Sequence, residues 1–60
     1  MFSIYTYNEA GHRLWFTGPT CNQFTLMFDD VVRFSSWESA LVQLQECKTV
    51  VTAHLNITRV

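Results

Sequence analysis

Residues 34–48 read FSSWESALVQLQECK, and their spacing predicts a helix. Apolar residues fall at Trp37, Ala40, Leu41, Leu44 and Cys47, a stripe that repeats with the 3.6-residue period of one helix face. Glu38, Ser39, Gln43, Gln45 and Glu46 fill the other side. Ser35 is the expected N-cap, its hydroxyl accepting an orphan N–H of the first turn. Glu38, three residues on, completes a capping box. Lys48 ends the segment with a positive charge at the negative end of the helix dipole. Val42 stands opposite the stripe, either as an isolated exposed valine or as a partner contact. A helix of about a dozen residues is marginal alone in water, so the rest of the chain must supply the apolar surface beneath it.

That surface reads as a sheet. Residues 2–7, FSIYTY, alternate: Phe2, Ile4 and Thr6 face one way, and Ser3, Tyr5 and Tyr7 the other. Asn8-Glu9-Ala10-Gly11 is a turn in which Gly11 is free to take positive φ. Residues 12–17, HRLWFT, resume the alternation, with Leu14 and Phe16 on one face and Arg13, Trp15 and Thr17 on the other. The two runs predict a hairpin. Gly18-Pro19 ends the second strand. Residues 24–28, FTLMF, predict a third, with Phe24, Leu26 and Phe28 inward and Thr25 and Met27 outward. Residues 29–33 fit either a short strand or a helical turn, and the Asp29-Asp30 pair favours the turn. Residues 50–60 predict a long last strand with Val51, Ala53, Leu55 and Ile57 on the core side and His54 on the other.

The expected fold is therefore α+β, in the order β-β-β-α-β, with one helix on one face of a small, mainly antiparallel sheet. Phe2, Ile4, Leu14, Phe16, Phe24, Leu26, Phe28, Val51, Ala53, Leu55 and Ile57 form the core against Trp37, Ala40, Leu41 and Leu44. Sixty residues make one domain. A domain this short buries only ~60% of the surface its unfolded chain exposes. The composition, 48% hydrophobic and 15% charged, is that of a globular chain rather than a disordered one.

The net charge of -1 argues against nucleic acid, because Arg13, Arg33, Lys48 and Arg59 are scattered rather than gathered into a basic patch. No span approaches the ~20 apolar residues of a membrane helix. The N-terminus shows no basic, apolar leader pattern. The expectation is a cytoplasmic protein. Cys21 and Cys47 form no paired motif and are compatible with one disulfide or with two thiols. The triplet Asn56-Ile57-Thr58 matches a glycosylation acceptor and is read as chance in mid-strand.

Catalytic and metal chemistry find little footing. His12, His54, Cys21 and Cys47 lack the close ligand pairs of a structural zinc site. Cys21 with His12 lacks an orienting third group. Asp29 and Asp30 are neighbours that do not face each other, and there is no Gly-rich phosphate loop. No enzyme, metal or cofactor is expected.

With a single helix, the second face of the sheet stays open. It is expected to carry Tyr5, Tyr7, Trp15 and Met27, with Arg13 and His54 at the rim. Tyrosine and tryptophan are favoured interface anchors. Three readings follow: cross-strand aromatic pairs that only stabilise the sheet, a homodimer surface, or a surface for a larger host protein or complex. Aromatics on an open sheet also resemble a platform for single-stranded nucleic acid, with too few cations beside it for strong binding.

The local pattern Val32-Arg33-Phe34-Ser35-Ser36 leading to Ala40 and Leu44 is similar to a helix lead-in seen in small α+β proteins. In overall habit the chain resembles small phage-encoded proteins that block a bacterial defence or host enzyme, including anti-CRISPR-type inhibitors. That habit is a short chain, a small sheet with one helix, and an aromatic exposed face. The resemblance implies inhibition by protein binding in the host cytoplasm, frequently as a homodimer. It assigns no role to individual residues.

Overall fold

The computed structural model describes residues 1–51 and 54–60. The alternating N-terminal runs form β1 (Phe2–Tyr7) and β2 (Arg13–Phe16), an antiparallel hairpin with Tyr5 opposite Trp15, Thr6 opposite Leu14 and Tyr7 opposite Arg13. Gly11 takes φ 84° in the turn, where the Asn8 carboxamide oxygen accepts the His12 N–H at 2.9 Å. A two-residue β3 (Phe24–Thr25) pairs with β2, and β4 (Asn56–Arg59) pairs with the far side of β1. The sheet is antiparallel in the order β3-β2-β1-β4.

One helix, α1 (Trp37–Lys48), lies on the face that carries Ile4 and Phe16. Ala40, Leu44 and Cys47 of its stripe meet Ile4, Phe16 and Leu55 in the core, with Phe2, Phe24, Val32, Phe34, Val51 and Ile57 packed around them. Each large side chain so buried contributes roughly 1.5–3 kcal/mol against the entropy of ordering the chain. The α+β fold with one helix against the sheet is as the alternation and the helical stripe predict.

Several local boundaries differ from expectation. Ser36, not Ser35, is the N-cap: its backbone is extended (φ -136°, ψ 156°) and its hydroxyl accepts the Ser39 N–H at 3.1 Å. The cause lies upstream. Phe34 and Phe2 exchange both backbone hydrogen bonds, at 2.7 and 2.9 Å. This holds the chain extended one residue longer and removes Glu38 from the capping position. Trp37, at the start of the stripe, is 47% exposed rather than in the core.

The third strand stops after Thr25 because the Thr25 hydroxyl accepts the Met27 N–H at 3.1 Å, a local turn that competes with the ladder. A 3-10 turn follows at Phe28–Asp30, closed by Asp30 N–H to the Met27 carbonyl at 3.1 Å. Leu26 and Phe28 are therefore exposed, not core. Beyond the turn, residues 31–34 run extended past the end of β2. Val32 donates to the Phe16 carbonyl at 2.9 Å, and its own carbonyl accepts the fully buried Ser3 hydroxyl at 3.0 Å. Residues 29–33 thus combine both expectations: helical turn first, strand-like pairing after.

The last strand begins at Asn56 rather than at residue 50. Backbone bonds to the Cys47 carbonyl from Val50 at 3.0 Å and Val51 at 2.8 Å prolong the helix end, and Val50 is exposed. Thr52 and Ala53, the latter expected in the core, lie outside the described residues.

Cys21 and Cys47 are joined in a disulfide with Cα atoms 5.0 Å apart and a sequence separation of 26. It ties the loop between β2 and β3 to the third turn of α1. On the chain-entropy account, closing a loop of this length stabilises a small domain by about 3.5 kcal/mol. Urea unfolding of Cys47→Ser, or of the wild type with and without dithiothreitol, is expected to show a loss of that order.

Candidate functional site

The face away from the helix is built by register. Tyr5 and Trp15 are cross-strand partners, as are Tyr7 and Arg13, so their side chains share one side of the pleat. Tyr7 meets Tyr5 edge-on with centroids 5.6 Å apart, and Tyr5 meets Trp15 at 5.6 Å. The row continues beyond the sheet. Phe28, carried in by the 3-10 turn, meets Trp15 edge-on at 4.7 Å. Four rings therefore form one continuous run.

Two arginines lie on this run. The Arg13 guanidinium sits 4.3 Å from the Tyr5 centroid and 5.6 Å from that of Trp15, and the Arg33 guanidinium 5.4 Å from that of Phe28. Such distances hold a cation over the negative face of an aromatic ring. Among the described residues neither arginine has a carboxylate within 4.0 Å. The Arg13 side chain beside the Tyr7 phenol, with Tyr5 next to it, holds the Tyr7 hydroxyl below its ordinary ionisation range, against a small opposing effect of burial.

The expected site residues divide. Tyr5, Tyr7, Arg13 and Trp15 are brought together. Trp15, however, is only 9% exposed because Tyr5 and Phe28 cover it, so it supports the face from beneath rather than anchoring a partner directly. Tyr7 is 51% exposed and Arg13 is exposed. Met27 is 61% exposed between exposed Leu26 (58%) and Phe28, forming an apolar knuckle after β3. His54 is exposed in the lead-in to β4, and its carbonyl accepts the hydroxyl of Thr6, which belongs to the helix-side row. It is not joined to the aromatic run. Val42 is exposed on α1, as its position opposite the stripe predicts.

Three contributors escaped the sequence reading: Leu26 and Phe28, assigned to the core, and Arg33, given no role. The signal was present in Thr25 and the Asp29-Asp30 pair, which together favour a turn where alternation suggested a strand. Among the described residues no set of three His, Cys, Asp or Glu side chains is placed to hold a metal, and no helix is long and apolar enough to cross a membrane. No family model, curated protein or solved structure matches this chain, so the face is read from its own geometry.

The Tyr7–Arg13 pairing is open to direct measurement. A spectrophotometric titration of phenolate absorbance is expected to show Tyr7 ionising at lower pH than an ordinary tyrosine. Arg13→Gln should move that step upward by replacing a charged donor, and the positive charge that favours the phenolate, with a neutral amide.

Proposed function

We propose that this protein is a non-enzymatic binding module that acts by occupying a surface on a larger protein. The observation that carries the reading is the exposed apolar run Leu26-Met27-Phe28, whose Phe28 ring meets Trp15 and so joins the ring run that leads through Tyr5 to exposed Tyr7, with Arg13 over Tyr5 and Trp15. Contiguous apolar side chains rimmed by polar ones mark interaction surfaces in small proteins. Aromatic residues, methionine and arginine are the types enriched at such interfaces. The resemblance in habit to small phage inhibitors points to a bacterial host protein as the class of partner, with surface occlusion as the means of inhibition. A homodimer formed through the same face is the competing reading, favoured by the same exposed apolar residues.

Trp15→Ala is a poor probe of this function, because removing a buried tryptophan costs about 3–5 kcal/mol and the loss of fold would mimic loss of binding. Met27→Asp and Tyr7→Ala change exposed side chains and are expected to leave the unfolding free energy within about 1 kcal/mol of wild type. In a tagged capture from bacterial lysate, both are expected to lose a partner that wild type and Val42→Ala retain. Retention by all four proteins would contradict the assignment of this face. A wild-type dimer that Met27→Asp dissociates, with no protein captured, would favour self-association.

A further inference from the structure

The two arginines of the aromatic run say more about the occupant than the rings do. We infer that the face takes an acidic polypeptide segment, with carboxylates meeting Arg13 and Arg33 and an apolar side chain between them on the Phe28–Met27 surface. The inference rests on the proposed reading of this face as a protein-binding surface and names the chemistry of the partner.

The argument is one of charge complementarity. Arg13 and Arg33 stand at different points along the ring run, Arg13 over Tyr5 and Trp15 and Arg33 over Phe28. Both are exposed, and among the described residues neither is neutralised by an internal carboxylate. A guanidinium held over a ring keeps its N–H fork suited to a carboxylate. Half of the four permanent cations of the chain are thereby committed to this face. The other two lie elsewhere: Arg59 stacks on Phe2 of the helix-side row, and Lys48 ends α1.

The same geometry disfavours a nucleic-acid strand. Asp29 and Asp30 are exposed in the 3-10 turn next to Phe28, and they oppose an evenly charged phosphate backbone. A polypeptide places its carboxylates only where its sequence has them, so it engages the two arginines and leaves the Asp pair uncontested.

The test uses three probes: a short synthetic peptide of Glu-Glu-Leu repeats, its Gln-Gln-Leu counterpart, and oligothymidylate. Binding is followed by the backbone and arginine side-chain N–H resonances of the full chain. The glutamate peptide is expected to shift Arg13, Arg33 and Tyr7 saturably, and to weaken as salt is raised. Arg13→Gln and Arg33→Gln should each weaken it about tenfold, Arg13→Lys should restore binding only in part, and Arg59→Gln should change nothing. Equal binding of the glutamate and glutamine peptides would overturn the acidic assignment while leaving the face as a protein surface. Tighter binding of oligothymidylate would overturn it in favour of phosphate recognition. No shift with any probe would also overturn it; the broader reading is then decided separately by whether Met27→Asp and Tyr7→Ala still abolish capture of a lysate protein.

Discussion

A sheet has two faces, and the described residues hold one α-helix to cover them. That constraint organises the molecule. The helix takes the side of Ile4 and Phe16, leaving the side of Tyr5 and Trp15 to be shielded by whatever else the chain can spare. The chain spares the segment between β3 and α1. Its 3-10 turn lays Phe28 against Trp15, and its extended part runs beside β1 where β2 has ended, bonding to Phe2, Ser3 and Phe16. The cover is partial. It buries Trp15, Val31 and Ser3 and leaves Tyr7, Arg13 and the Leu26–Met27 knuckle in solvent. The candidate site is thus the part of the second face that the chain leaves uncovered.

Stacked arginines change the character of that remainder. An exposed arginine normally samples many rotamers, and fixing it on a partner costs side-chain entropy. Arg13 and Arg33 are already laid on rings of their own chain, so part of that ordering precedes any encounter. The rings in turn are fixed by cross-strand register at one end and by a backbone turn at the other. A surface of this kind combines rigid apolar area with charge held in place.

Much of the architecture was legible in residue order. Alternation in residues 2–7 and 13–16 assigned each side chain to its correct face, and the stripe from Ala40 to Cys47 identified the helix and its buried side. What failed was local and had nonlocal causes. FTLMF alternates as well as any strand, yet the Thr25 hydroxyl turns the chain before the alternation can be used. Ser35 and Ser36 are equally good caps by chemistry; the choice was made by Phe2, more than thirty residues upstream. Residues 50 and 51 look like strand, but bonds to the Cys47 carbonyl draw them into the helix end. The site was half legible for the same reason: Tyr5, Tyr7 and Arg13 follow from alternation, while Phe28 and Arg33 reach the face only because β3 is cut short.

The pairing of β1 with β4 sets the order in which this molecule is made. Phe2 lies opposite Arg59, and the Val60 N–H donates to the Met1 carbonyl at 2.8 Å, so the first strand of the sheet in chain order is completed by β4, the last. Until then β1 has the hairpin on one side and an unpaired edge on the other. Such an edge is a template for pairing with another nascent chain, and contacts this distant in sequence form slowly. The sheet is therefore expected to close only once β4 has been made, with the young hairpin as the species most in need of protection. The same contact makes these sixty residues, taken as a unit, a natural candidate for circular permutation, with a short linker across Met1 and Val60 and new ends opened at the Gly11 turn.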